Sequence, residues 1–490
     1  MFEEQFTNYP SADERNKDLI NLLSVGDVTA VISKLDGHND ETARAAKMYN
    51  PMLHDIMTDP TRQGKFIEGA DGKRKSYVKK WKLPIAYPRY INEVALVFLY
   101  GRPVKWGCES TDTDKAFEEF QKLLRRTHFD SKVRQLKRYA GAYTQSAMLF
   151  RVYQDDNGKS DCQIRVLSHE KNDKIYTRFD QYGNLLSFAW GYTILEGETP
   201  VEHFDLFLPN YIYYCQRGEK GWDISVQENK VKKIPVIYCQ QEVEWAGVEP
   251  QIEREEYIHS RTADTNDYFA DPQLIIHTDI LKNMPEKDDA NKTWLVSGED
   301  ASADKMAKYL TWDSAPESKQ KEIEQLQNHI LSKTFTPNID FENIKTLSNV
   351  SGKALKQMMV LANIKAQKHQ EQHDELVERS ANLMKAIIGN VLNVSLAKEC
   401  ERMVLTHEFQ DPFGEDIAEA IDCLVKAVDS GIQSRESAVE QSPLTKNPQA
   451  ELERLKKEQE SNLAAQRDVF YQQSIVEEGR SEGVDTGEAN

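Results

Sequence analysis

From Asn338 to Asp411 the chain contains no proline, and its only glycines are Gly352 and Gly389. Nothing else in the 490 residues constrains the fold as strongly. Ser351 fits an N-cap, and Leu355, Met358, Met359, Ala362 and Ala366 follow at helical spacing, continued by Leu376, Leu383, Ile387, Val391 and Leu392. A helix of some 40 residues would be about 60 Å long at ~1.5 Å per residue. Helices of that length serve rods, rings or bundles, whereas globular helices usually run ~8–20 residues. Upstream, two shorter helical stretches, Pro250 to Phe269 and Pro316 to Lys333, enclose an insert with short apolar runs at Leu274 to Ile276, Thr293 to Val296 and Tyr309 to Trp312.

The first 60 residues read as helices, Asn16 to Ile32 and Glu41 to Tyr49, separated by a turn at Asp36, Gly37 and Asn39. Tyr90 to Tyr100 is an apolar helix closed by Gly101, with Pro103 barring continuation. Thr111 to His128 and Val133 to Tyr143 are further helices. Strand patterns then run from Ser146 to about residue 240, with turns at Asp155 to Lys159, Gly183-Asn184, Pro209-Asn210 and Glu228-Asn229. The sequence therefore predicts a mainly helical α+β chain with an antiparallel β region. Beyond Pro412, helices are expected at Asp416 to Val428, from Ser430 towards Pro443, and from Glu451 to about Gln472, followed by an aperiodic, disordered end.

The net charge of −18 argues against a broad basic nucleic-acid footprint. One stretch runs against it. Thr61 to Tyr90 holds nine basic residues against Glu68 and Asp71, which reads either as a solvated loop and helix or as a subunit-facing or DNA-facing patch. Six cysteines without CxxC spacing fit reduced thiols of an intracellular protein. No apolar run reaches membrane-spanning length, and the acidic first residues lack the order of a signal peptide.

No phosphate-binding GxxxxGK[ST] loop, HExxH or GxSxG pattern is present, and no enzyme activity or cofactor is expected. The Asp155 to Asp161 cluster reads as a turn, lacking the spacing of a calcium loop. His369 and His373 lie four apart, as metal ligands can, but in a highly charged helix they read as a solvated face. Asp264, Asp267 and Asp271 could hold magnesium, as a nuclease would require, although a cap or interface role fits Asp271-Pro272 better. The seven tryptophans form no evident stacking platform.

Four stretches in order carry a resemblance: INEVALVFLYGRPV at 91–104, IEREEYIHSRTADTNDYFADPQLII at 252–276, NIKTLSNVSGKALKQMM at 343–359, and SGIQSRESAVEQSPLTKNPQAELERLKKE at 430–458. Together they resemble the portal proteins of tailed double-stranded DNA bacteriophages, in the SPP1-like branch. The resemblance implies a wing at 1–248, a first stem helix at 249–271, a clip at 272–315, a second stem helix at 316–334, a tunnel loop at 335–350, a long helix at 351–410, and a crown and tail at 411–490. It also implies a homo-oligomeric ring, usually of twelve, at a capsid vertex of the virion, assembled in the host cytoplasm. Double-stranded DNA would pass through the ring during packaging and ejection. The implied partners are terminase, head-completion or adaptor proteins, and the major capsid and scaffolding proteins, with no membrane. Lys333, Lys345, Asn349, Lys353 and Lys356 are the expected channel residues. An acidic excess suits a conduit that must not hold DNA tightly. The alternative is a viral scaffold or filament-forming protein without a closed ring.

Overall fold

The computed structural model describes residues 11–68, 75–110, 112–156, 158–269, 273–276, 307–310, 316–338, 359–412, 417–445 and 450–461. Two compact units are present, 1–412 and 413–490. The expected mainly helical α+β class is what the structure displays.

In the first unit, a short helix at Ala12–Arg15 is followed by helices Lys17–Ser24, Val28–Ser33 and Asn39–Tyr49. A two-stranded hairpin follows, β1 (Lys65–Glu68) with β2 (Lys75–Val78). Helices Tyr87–Tyr100, Asp114–Arg126 and Phe129–Tyr143 come next, with β3 (Lys105–Cys108) after the first of them. β4 (Gln145–Gln154) and β5 (Ser160–Leu167) form the hairpin that the Asp155 to Lys159 turn announces. Asp155 Oδ1 accepts from the Lys159 amide at 2.7 Å, which gives this carboxylate a turn-closing role.

β6 (Lys174–Phe179), β7 (Leu185–Glu196), β8 (Thr199–Phe207), β9 (Tyr211–Gly218) and β10 (Gly221–Glu228) make an antiparallel meander in sequence order. β11 (Val236–Gln240) returns to the other side of β4, giving a separate three-stranded sheet, β11-β4-β5. Period-two alternation explains how the meander buries both faces. Ala189, Leu206 and Cys215 meet Leu19, Leu23, Val28 and Val31 of the first helices. Their neighbours Phe188, Trp190 and Phe207 meet Ala147, Leu149 and Val236 of the smaller sheet.

The proline-free segment holds one long helix, Val360–Ile387, of 28 residues. That is about 42 Å at ~1.5 Å per residue. The helix is shorter than the 351–410 expectation. A π turn at Ile388–Leu392 ends it, then a 3₁₀ turn and the short helix Ala397–Arg402. Gly389 permits this fold-back, because a Cβ there would lie 3.2 Å from Ala397 Cα. The chain then runs into β14 (Leu405–Glu408), which pairs with β3 across some 300 residues. Leu376, Val377, Leu383, Met384 and Ile387 form the largest core with Leu99, Phe120, Leu136 and Phe150. Residues 351–358 lie outside the described residues, as does the Ser351 cap.

The two helices around the insert are Glu249–Phe269 and Pro316–Lys333. Within the insert, β12 (Gln273–Ile276) pairs antiparallel with β13 (Ala307–Leu310). The expected strand at Thr293 to Val296 lies outside the described residues. The second unit contains helices Ile417–Asp429 and Arg435–Gln441, the latter capped by Ser434, whose Oγ accepts from the Ser437 amide. Residues 450–461 are also helical. Among the described residues no helix is long and apolar enough to cross a membrane, and all six cysteines are free.

Candidate functional site

The paired helices 249–269 and 316–333, with the segment leading from them to the long helix, carry the expected channel residues. Arg254 of the first helix donates to Glu322 of the second at 2.9 Å, an exposed ion pair between the two. Two acids of the first helix, Glu255 and Glu256, are engaged inside the molecule. Glu256 is buried and accepts from the Ile85 amide at 2.8 Å, and His54 Nδ1 lies 2.6 Å from the same oxygen. Burial alone would lower the His54 pKa, but the hydrogen bond and charge of Glu256 outweigh it and raise it. Glu255, also buried, accepts from Tyr87 at 3.0 Å and from Gln327 of the second helix at 3.2 Å. Burial raises its pKa despite these donors.

Two residues of the basic stretch 61–90, Arg62 and Lys80, find a partner on the same helix. Asp264 accepts from Arg62 at 2.7 Å and from the Trp81 amide at 2.8 Å, with Lys80 at 3.6 Å. Asp267 accepts from the Trp81 indole at 2.5 Å. The guanidinium of Arg62 also donates twice to the Trp81 carbonyl. Two of the three aspartates considered for magnesium are thus tied to arginine, lysine and tryptophan donors, while Asp271 lies outside the described residues. Replacing Asp264 by alanine is expected to cost about 2–3 kcal/mol through lost charge-assisted hydrogen bonds. Faster amide exchange at residue 81 and shifted tryptophan fluorescence would register the change. Unaltered exchange would contradict the assigned role.

Of the expected channel residues, Lys333 closes the second helix and is exposed. Lys345, Asn349, Lys353 and Lys356 lie outside the described residues. Residues on both sides of 339–358 pack against the body. Thr334 and Thr336 are buried and hydrogen-bond each other at 3.0 Å, and between them Phe335 adopts a left-handed φ of 53°. A non-glycine residue there is uncommon. The Pro337 carbonyl then accepts from Tyr90 Oη at 2.7 Å. On the far side, Met359, Ala362 and Ala366 pack on Phe98. Both flanks of residues 339–358 are therefore held by one helix, Tyr87–Tyr100, at positions eight residues apart. That is about 12 Å along its axis at ~1.5 Å per residue.

A second buried polar cluster fastens the long helix to the body. Glu244 accepts from Lys137, from Lys365 at 2.8 Å, from His369 Nε2 at 3.1 Å and from Gln241 at 2.8 Å. Lys137 and Glu244 are almost completely buried. Burial would raise the Glu244 pKa, but Lys137, the His369 hydrogen bond and Lys365 hold it well below the usual carboxylate value. His373, fully buried, lies 2.9 Å from Tyr100 Oη through Nδ1, and its Nε2 has no partner among the described residues. The solvated-face expectation for His369 and His373 is therefore corrected. Both turn inward, one onto Glu244 and one onto Tyr100. Sequence reasoning missed this because the charged letters around them, Lys368, Glu371 and Asp374, occupy the opposite face of the helix.

Burial, with Lys137 and His369 nearby, depresses the His373 pKa well below its ordinary 6.5. A depressed folded-state pKa means that the unfolded chain binds more protons below that value. The His373 contribution is thus present above about pH 6.5 and is lost as pH falls further. Urea denaturation at pH 7.5 and pH 5.5 should show a stability drop that His373→Gln reduces. An equal drop in the variant would contradict a neutral buried imidazole.

The sequence model of the family described as phage portal protein, SPP1 Gp6-like, matches residues 33–464. The chain belongs to this family of phage portal proteins. No curated protein matches it. Among solved structures, it is similar to a chain from one titled the neck of a native GTA particle, computed with C12 symmetry. That similarity has 10% identity, a TM-score of 0.39, and covers 73% of this chain and 90% of the other.

Proposed function

We propose that the protein forms the ring at a capsid vertex through which double-stranded DNA is packaged and ejected, and that terminase and then head-completion proteins dock on it. The observation that carries this reading is the family match across 33–464. The paired helices with their small β insert at 273–310 correspond in this reading to stem and clip, and 335–350 to the tunnel loop. The packing of Pro337 and Met359, on either side of residues 339–358, on the 87–100 helix supports it, since a loop that meets moving DNA must be held firmly at its base. Lys333, Lys345, Lys353 and Lys356 supply the DNA-facing charge, and Asn349 a neutral contact. Homo-oligomerisation into twelve, contact with the major capsid and scaffolding proteins, assembly in the host cytoplasm and residence in the virion belong to the same proposal.

The acidic excess takes a narrower meaning here. Glu255, Glu256, Asp264 and Asp267 are engaged within the chain, so these four acids of the first stem helix serve cohesion, not repulsion of DNA. The chain acts without catalysis, and the purified protein is expected to hydrolyse no ATP above background. Capsids assembled without it should contain no packaged DNA, and supplying it should restore packaging. Full packaging in its absence would overturn the proposal.

A further inference from the structure

β11 lies at the edge of its three-stranded sheet and pairs with β4 alone. Two bonds fix which way its main chain faces. The Pro235 carbonyl accepts from the Phe150 amide at 2.8 Å, and the Gln241 amide donates to the Thr144 carbonyl at 2.9 Å. Main-chain groups alternate in direction along an antiparallel strand. Ile237 and Cys239 therefore turn their N–H and C=O groups to β4, and Val236, Tyr238 and Gln240 turn theirs to the open edge. The Gln240 carbonyl is covered there, accepting from the Gln372 side chain of the long helix at 2.6 Å. The main-chain groups of Val236 and Tyr238 have no such partner among the described residues. Val236 is only 5% exposed, and main-chain groups in that setting are ordinarily paired.

A cavity of about 390 Å³ opens along this edge, between the meander and the long helix, and both Val236 and Tyr238 line it. Its walls are apolar, with Leu185 from the meander, Ile234 just ahead of β11, and Leu376 and Leu383 from the long helix. Lys232, Lys233 and Arg379 stand around it, exposed, in a chain of net charge −18. Glu228 lies 2.5 Å from Lys232, and Glu375 lies 2.6 Å from Arg379. Both are exposed pairs four residues apart, which are weak and exchangeable. An unpaired strand edge accepts a further extended chain at a spacing of ~4.8 Å, main-chain bonds giving affinity and side-chain pockets giving selectivity. We propose that this edge binds an extended acidic segment of a partner protein, which joins the sheet as a strand beside β11. The main chain of that segment pairs with Val236 and Tyr238. Its apolar side chains pack on Leu185, Leu376 and Leu383, and its carboxylates meet Lys232, Lys233 and Arg379. The inference is independent of the portal reading.

Single-residue hydrogen exchange of the full chain tests it, with a capped peptide of alternating glutamate and valine as the probe. Without peptide, the amides of residues 236 and 238 are expected to exchange faster than those of 237 and 239. Saturating peptide should slow 236 and 238 by about tenfold or more, while 237 and 239 change little. A peptide with lysine in place of glutamate, and one N-methylated along its backbone, should each bind about tenfold more weakly or worse by fluorescence anisotropy. Lys233→Glu with Arg379→Glu should weaken the glutamate–valine peptide to a similar extent. Absence of binding, equal binding of the N-methylated peptide, or binding that leaves 236 and 238 unprotected would overturn the proposal. So would strong protection of 236 and 238 before any peptide is added, which would mean that this chain or a second copy already covers the edge.

Discussion

Glu244→Ala is expected to lower stability by about 3–5 kcal/mol, because it leaves Lys137 charged, buried and without its carboxylate. Lys137 has no exposed side-chain surface, and Lys365 and His369 are also largely withdrawn from water. Guanidinium denaturation would show the midpoint falling sharply. The double replacement Lys137→Met with Glu244→Leu should cost less than Glu244→Ala alone, since an apolar pair leaves no orphaned charge between those two positions. If Glu244→Ala changed stability by less than about 1 kcal/mol, the cluster would be a surface-like ion pair, and its role in fastening the 360–387 helix would be wrong. Acid should produce a related loss. The Glu244 pKa is depressed in the folded state, so its contribution is present above about pH 4.5 and disappears as pH falls further.

Phe98→Ala is expected to cost about 3–5 kcal/mol. Phe98 is 4% exposed, and Met359, Ala362 and Ala366 pack on it. The loss should be concentrated at the start of the long helix, seen as faster amide exchange over 360–366 than over 376–387. Tyr90→Phe, which removes only the hydroxyl donated to Pro337, should cost about 1 kcal/mol. Uniform loosening of the whole helix in Phe98→Ala would show that Phe98 contributes general core volume and does not anchor this flank in particular.

Much of this fold is legible in the sequence because its signals are local. Alternation from Ser146 to about residue 240 gives the meander and its turns, and prolines bracket the paired helices. Where the sequence misleads, distance in the chain is responsible. The pairing of β3 with β14 joins Lys105–Cys108 to Leu405–Glu408, and no local pattern in either four-residue strand announces its partner. The helix at 129–143 ends on Thr144 with φ 66°, held by the Gln241 amide bonding to its carbonyl, so no glycine marks the stop. Gly101, which looks like a left-handed closing residue, remains right-handed at φ −58° and still bonds the Val97 carbonyl. The engagement of Glu255, Glu256, Asp264 and Asp267 on the 249–269 helix was hidden for a related reason. Their partners, Arg62, Trp81, Ile85 and Tyr87, come from a segment some 170–200 residues earlier, and a run of basic letters reads as solvated until its acceptors are located.

Cryo-electron microscopy of the purified full-length protein tests the central claim most directly. The portal reading predicts closed rings, twelvefold in symmetry, with an open axial channel and at least one of Lys333, Lys345, Lys353 and Lys356 facing it. Open filaments, or closed rings with none of these lysines at the channel surface, would contradict it.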